Sequence, residues 1–301
     1  MSKILIAIDG TGPFFNDEYS KEMDYSFVHS IYLNSGISRK FYHRGPSLTG
    51  AESGIIGIRG LLDYLAGLRS ADKSEIVEVF ITGYSRGAMI TVYLANRIHE
   101  FNLLNKLGER ATSLVKRSFG FATESPAEIK IKSMMLFDAV SSDATMYGPG
   151  IRVIPPCVEE VYHFVCRESS TALPRSRWYF NRIRLDIDSR YTRSEILSFG
   201  CTHAAIGGLP GQGDHRLPTT RAGVAAAALG ELAKPTIIAH PALTAAKALG
   251  VAALKAYDSV RSNVTLEEDF AIYKSVRAAA FQRLQPNWMV SKLPAYGSLT
   301  S

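Results

Sequence analysis

Cysteine is scarce in this chain. The 301 residues contain three, Cys157, Cys166 and Cys201. They are too few and too irregularly spaced for a disulfide framework, and no pair has the C-x-x-C spacing of zinc or thioredoxin sites. Folding in a reducing compartment is the expectation. Long apolar runs are missing too. A membrane-spanning helix needs about 18 or more uninterrupted apolar residues. The longest candidate, Ala222 to Tyr257, is broken by Glu231, Lys234, Pro235, His240, Lys247 and Lys255. A secretory signal is not visible either, since only Ile4 to Ile8 is apolar between Lys3 and Asp9. Synthesis in the cytoplasm without signal peptide or transmembrane helix is expected, and any later delivery stays open. Glycines crowd residues 45–60 without a following G-K-[ST], which excludes a nucleotide P-loop. Gly54, Gly57 and Gly60 favour a bare helix face for close packing.

Neither sign of charge dominates. Lys and Arg number 34 against 28 Asp and Glu, a net charge of +6 and a pI near 9.1. Such a balance suits anionic surfaces without choosing among them. No zinc finger, helix-turn-helix or aromatic RNA-binding motif is present, so nucleic acid is not expected as a partner.

What the chain does have is core-forming material, with 46% apolar residues. Short apolar runs rich in β-branched residues predict strands at Lys3–Ile8, Ile76–Thr82, Ser133–Val140, Val161–Cys166 and Ile196–Cys201. Helical patterns lie between them at Ile55–Leu68 and Arg86–Phe101. Strands alternating with helices imply a mostly parallel sheet covered on both faces. Beyond about residue 215 the chain turns Ala-rich, with a helix expected over Pro241–Asp258. Thr265 and Glu268 form a capping box that opens another helix running to Gln285 before Pro286. One α/β domain is expected over 1–301, with a core of about 1–232 and a helical C-terminal extension of about 233–301.

Gly83-Tyr84-Ser85-Arg86-Gly87 matches G-x-S-x-G, a weak pattern alone. Its context strengthens it, because a strand runs directly in and a helix directly out, the strand–turn–helix of a nucleophile elbow. The other reading is a tight turn with an idle serine. A serine hydroxyl needs a base, and the base an orienting carboxylate, here in the chain order Ser, Asp or Glu, His. Asp138 at the end of one strand and His203 just past another sit where parallel sheets build their sites. Asp143, His163 and His215 compete. Asp143 lies in a loop and His163 inside a strand, and His215 in a polar loop is the runner-up base.

Asp9-Gly10-Thr11-Gly12 after the first strand has two readings. A phosphatase of the haloacid dehalogenase type needs a nucleophilic Asp two residues before Asp9, where this chain has Ala7. The better reading is a loop whose Gly10 and Thr11 N–H groups complete an oxyanion hole with the N–H of Arg86. A plain strand-end turn is the alternative.

Together, Ile8-Asp9-Gly10-Thr11-Gly12, Phe41-Tyr42-His43-Arg44-Gly45, Gly83 to Ala88, Phe137-Asp138-Ala139-Val140, Tyr162-His163 with Arg167-Glu168, and His203 with Gly207-Gly208 form an ordered series. Over residues 3 to about 232 the chain resembles the uncharacterised α/β-hydrolase domain family that includes the catalytic domain of phospholipase effectors of bacterial type VI secretion. The resemblance implies an α/β-hydrolase fold, a Ser85–Asp138–His203 triad, and activity on phospholipid esters without metal or organic cofactor.

Between Pro174 and Glu195 lie Arg175, Arg177, Arg182, Arg184, Arg190 and Arg193, with Trp178, Tyr179, Phe180 and Tyr191 interleaved. Arginine among aromatics suits a phosphate-rich surface such as lipid headgroups. The other reading is a solvated strand-and-loop region with snorkelling arginines. Arg175, Arg177, Trp178, Arg182 and Arg184 are the candidates for contact with an anionic membrane. The expected function is a serine hydrolase of carboxylic esters, phospholipids foremost. A soluble carboxylesterase or acyltransferase, and a non-catalytic binding module on the same scaffold, are the alternatives.

Overall fold

The computed structural model describes residues 2–10, 24–45, 76–106, 129–141, 152–166, 181–210, 264 and 266–296. The expected helices at Ile55–Leu68 and Pro241–Asp258, together with Thr11, Gly54, Asp143, Arg175, Arg177, Trp178, His215 and Thr265, lie outside them.

Six strands pair in parallel: β1 (Ser2–Ile8), β2 (Arg39–His43), β3 (Val77–Tyr84), β4 (Ile129–Phe137), β7 (Glu160–Cys166) and β10 (Arg193–Phe199). Their order across the sheet is β10-β7-β4-β3-β1-β2. Short pairs complete the picture. β5 (Val140–Ser141) joins β8 (Asn181–Arg182), and β6 (Val153–Ile154) joins β9 (Asp186–Ile187).

Both faces of this sheet are covered, as its near-continuous apolar strands require. Ile4, Ile6 and Ile8 of β1, Val79 and Ile81 of β3, and Met134 and Leu136 of β4 bury one face. Against it lies α2 (Arg86–Lys106), through Ala88, Val92, Ala95 and Ile98. Leu5, Ala7, Phe80, Met135 and Phe137 bury the opposite face, since successive strand residues point to opposite sides. That side is covered by α1 (Phe27–Asn34) and α4 (Leu266–Leu284). Among the described residues between β10 and α4 is one short helix, α3 (His203–Ile206).

Three differences from the sequence reading have physical causes. β2 was not expected as a strand: it is a short edge strand with basic Arg39 and Lys40 and no apolar run to announce it. The strand expected to reach Val140 stops at Phe137, because Asp138 has a positive φ of 43° that breaks the ladder. β10 begins at Arg193 and ends at Phe199, although its residues are largely exposed. Pairing with β7 sets its bounds, rather than its own hydrophobicity.

After α4 the chain crosses the covered face. Trp288 is fully buried, its ring edge-on to Phe80 at 5.4 Å. Its carbonyl accepts from the Ser35 hydroxyl at 2.8 Å, and the Met289 carbonyl from Gly36 N–H at 2.8 Å. The C-terminal segment therefore shares the core of the sheet.

Candidate active site

β3 ends at Tyr84 and α2 begins at Arg86, leaving Ser85 alone in the turn with φ 58°. A non-glycine residue in this left-handed region is strained, and such strain collects at functional sites. The turn is held from both sides. Ser85 N–H donates to the Phe137 carbonyl at 2.9 Å, and the Ser85 carbonyl accepts from Met89 and Val140. The flanking glycines are required by close approach. A Cβ on Gly83 would stand 2.7 Å from the Ala88 Cα, and one on Gly87 only 2.1 Å from the Asp9 carbonyl oxygen. The sharp turn thus presses α2 against both its own strand and β1.

Asp138 occupies the corresponding position one strand over, beyond β4. Its N–H donates to the Phe164 carbonyl at 2.7 Å, and its side chain is buried. Oδ1 accepts from Cys166 N–H at 3.2 Å, and Oδ2 lies 2.7 Å from His203 Nδ1. His203 Nε2 lies 3.0 Å from Ser85 Oγ. An ionised carboxylate can only accept, so Nδ1 carries the proton, and Nε2 is left to accept from the serine hydroxyl. The structure therefore brings Ser85, Asp138 and His203 into one line of contacts at the carboxyl edge of the sheet, with His203 partly exposed between two buried partners.

His163, a competing base by sequence, lies behind this line. It is buried in β7, where Nε2 accepts from Ala139 N–H at 3.3 Å. It supports the turn that carries Asp138.

The start of the Asp-Gly-Thr loop lies against the same edge. Gly10 passes so close to the elbow that a Cβ there would stand 3.2 Å from Ser85 Cβ. The Gly10 N–H, expected as an oxyanion donor, donates to Asp9 Oδ1 at 2.9 Å. Oδ2 of the fully buried Asp9 accepts from the Ser26 hydroxyl at 2.6 Å and from the Tyr42 hydroxyl at 2.9 Å. Burial pushes the Asp9 carboxyl above the usual carboxylate range, against the lowering pull of these hydrogen bonds and of His29. Asp9 thus ties the loop to the N-cap of α1 and to β2. The other described oxyanion candidate is the N–H of Arg86, the first residue of α2, whose side chain is buried.

Sequence reasoning missed the supports of His203. The Tyr84 ring stacks on the imidazole at 5.0 Å between centroids, and its hydroxyl donates to the His203 carbonyl at 3.2 Å. Thr202 caps α3, its Oγ1 accepting from Ala205 N–H at 3.2 Å. Asp269 on α4 accepts from both Thr202 N–H and Thr202 Oγ1. In sequence Asp269 is one of three acidic residues in a first helical turn, indistinguishable from complements to the helix dipole. Cys166 and Cys201 also flank the site, with Cys166 Sγ donating to the Cys201 carbonyl at 2.7 Å. Burial pushes the Cys201 thiol well up, with nearby Cys166, Asp269 and Asp138 adding to it.

Part of the arginine segment reaches this edge. Arg182 pairs with Val140 in the β5–β8 ladder, and Ile183 N–H donates to the Ala139 carbonyl at 2.9 Å. Residues 181–183 therefore run beside the turn that carries Asp138. Arg184 is exposed. Arg190 and Arg193 are already paired, with Asp188 and Glu160 respectively. Among the described residues no cluster of three or more His, Cys, Asp or Glu is disposed to hold a metal ion. No described helix is long and apolar enough to cross a membrane.

No protein-family model and no curated protein matches the chain. Solved structures that are distantly similar include the following two. One is a Tle1 effector bound to the VgrG spike of a type 6 secretion system, with 15% identity and a TM-score of 0.36 over 68% of this chain and 50% of that one. The other is an uncharacterized protein from Pseudomonas aeruginosa, with 14% identity and a TM-score of 0.46 over 97% of this chain and 51% of that one. The chain spans about half the length of both.

Proposed function

We propose that this chain is a serine hydrolase of carboxylic esters, with Ser85 as nucleophile, His203 as general base and acid, and Asp138 as the group that orients His203. The observation that carries this reading is the run of contacts Ser85 Oγ–His203 Nε2–Asp138 Oδ2, at 3.0 and 2.7 Å, with the serine alone in a strained strand-to-helix turn.

The chemistry follows from that arrangement. Ser85 Oγ attacks the ester carbonyl carbon as its proton passes to His203 Nε2. Negative charge builds on the carbonyl oxygen and is met by the Arg86 N–H at the amino end of α2, reinforced by the helix dipole. Asp138 stabilises the imidazolium. Collapse of the tetrahedral adduct expels the alcohol, which takes the proton from Nε2, and leaves an acyl group on Ser85. Water, activated by the same histidine, then releases the acid. Every proton in this cycle is held by a side chain named here, so the scheme calls for no metal or organic cofactor.

Phospholipids are the proposed substrate class. The ordered motif series supports this, as does the run of residues 181–183 beside Asp138, which brings Arg182 and Arg184 towards the edge where a headgroup would lie. Small soluble esters are the second reading, favoured by the partial exposure of His203. The experiment is incubation of wild-type protein and Ser85→Ala with mixed phospholipid vesicles and with a short soluble ester, followed by mass analysis of products. Fatty acid released by wild type alone supports the phospholipase reading. Cleavage confined to the soluble ester replaces it with a carboxylesterase. Full activity in Ser85→Ala removes the nucleophile assignment.

A further inference from the structure

We infer that Asp269, on the C-terminal helix, is a positioning residue that sets His203 in register with Ser85 and Asp138 by holding Thr202. This rests on the proposed hydrolase reading for its effect on catalysis, but not for its geometry.

His203 is not placed by the sheet alone. It follows β10, an edge strand whose residues are mostly exposed and which pairs on one side only. Between the end of that strand and the histidine stand Gly200, around which nothing lies within 4 Å of a notional Cβ, then Cys201 and Thr202. The link is held at buried Cys201, whose carbonyl accepts from Cys166 Sγ, and beyond it Nδ1 and Nε2 of the imidazole must each meet a partner fixed on a different strand.

Asp269 supplies the constraint. Its carboxylate is fully buried, and both oxygens are directed at one residue: Oδ1 accepts from Thr202 N–H at 2.8 Å, and Oδ2 from Thr202 Oγ1 at 3.0 Å. A bidentate grip on one residue's backbone and side chain fixes both its position and its rotamer, which a single bond does not. Thr202 Oγ1 in turn accepts from Ala205 N–H, so the same hydroxyl orients the first turn of α3, where His203 is the first residue. Burial of a carboxylate is costly unless it is fully bonded.

The helix is tied to the strand at two places. In its last turn Arg283 pairs with Glu195 near the start of β10, with Nε donating to Oε2 at 2.8 Å. Asp269 in its first turn meets Thr202 just past the strand's end. Thus α4 runs antiparallel to β10 and clamps it at both ends, and the C-terminal extension becomes part of the site's support.

The test compares Asp269→Asn, Thr202→Val and Thr202→Ser, with Glu267→Gln as an exposed charge control from the same helical turn. A short soluble ester is the substrate. Asp269→Asn and Thr202→Val are expected to lower kcat by about 10²-fold, the scale of an ångström-sized misplacement. KM should stay within about twofold, because no substrate contact is removed. Thr202→Ser, which keeps the hydroxyl, should recover most of the loss, and Glu267→Gln should behave as wild type. A second readout is independent of turnover: the 1H–15N signal of the His203 Nδ1 proton, assigned by its loss in His203→Gln. It should broaden or vanish in Asp269→Asn and Thr202→Val while thermal unfolding stays cooperative above the assay temperature. Retention of both kcat and this signal overturns the inference. So does a loss of activity that merely tracks the unfolded fraction. If wild-type protein cleaves no ester, the hydrolase reading fails by itself, and the Nδ1 signal alone still decides whether Asp269 positions His203.

Discussion

Oδ2 of Asp138 stands 2.7 Å from Nδ1 of His203, across 65 residues of sequence and two strands of the sheet. The other carboxylate oxygen is held by Cys166 N–H at 3.2 Å, so the carboxylate cannot rotate away from the imidazole without losing that bond. An amide in its place would keep the shape and change the direction of the hydrogen bond.

Asp138→Asn is therefore expected to turn the imidazole's proton to Nε2, where it faces Ser85 and cannot accept the serine proton. A fall in kcat on the order of 10⁴-fold is expected, with little change in thermal stability. Steady-state kinetics on a soluble ester, beside a melting curve, checks both. Activity within tenfold of wild type would remove Asp138 from the proposed triad.

Gly87→Ala should harm both fold and activity. Its Cβ would enter within 2.1 Å of the Asp9 carbonyl oxygen and 2.4 Å of that of Ile8, and both are backbone atoms of a buried strand end. Overpacking of this kind costs roughly 1–3 kcal/mol, with more where backbone must move. The urea midpoint measures it, and an unchanged midpoint would mean that the close approach of α2 to β1 is not as described.

Asp9 carries a pH signature. Its folded-state carboxyl is raised above the unfolded value of 3.8, chiefly by burial. Its contribution to stability is fully present below 3.8 and is lost as pH rises through the raised folded value. Asp9→Asn has no such titration. The stability of the variant relative to wild type should therefore increase between about pH 4 and neutrality. Urea unfolding at a series of pH values reads the difference, in which groups common to both proteins cancel. Parallel curves over that range would contradict the assignment.

The arginines beside the site separate lipid from solution chemistry. Replacing Arg182 and Arg184 with Gln should weaken binding to anionic vesicles by roughly 1 kcal/mol for each arginine near the surface, and should reduce its salt dependence. Hydrolysis of a short soluble ester should survive. Equal losses on vesicles and on the soluble ester would instead assign residues 181–184 to support of the Asp138 turn, which they flank.

Deleting the Trp288 side chain offers a check on the C-terminal segment. It is fully buried against Phe80, and truncation of such a side chain to alanine costs about 3–5 kcal/mol. Chemical unfolding of Trp288→Ala should show it. A cost below about 1 kcal/mol would mean that this segment does not share the sheet's core.

Much of the sheet was legible because burial on both faces leaves a local mark. Lys3–Ile8 and Ile76–Thr82 are almost wholly apolar or β-branched, and they stand in the structure as strands within two residues of those bounds. The elbow was legible in part for a similar reason: Gly83 answers a local crowding against Ala88, whereas Gly87 answers the distant Ile8 and Asp9. Asp138 could be nominated because a polar residue directly after a buried strand is conspicuous, and His203 because it follows the apolar run Ile196–Cys201. That they meet depends on strand order, which no local pattern encodes: β4 must lie beside β3, with β7 and β10 beyond it. Where long-range pairing alone decides, the chain carried no mark. The edge strand Arg39–His43 opens with two basic residues and pairs with a neighbour on one side only. Gly10 sits in a suggestive motif, yet the direction of its N–H depends on an Asp9 carboxylate held by Ser26 and Tyr42 from two other elements. Asp269 looks like any acid opening a helix until α4 lies along β10 and its carboxylate closes on Thr202. Composition and periodicity specify which segments become strands and helices because those choices follow from neighbours a few residues away. The partner of each charged side chain is settled only by packing, because it joins residues whose separation in sequence exceeds any local pattern.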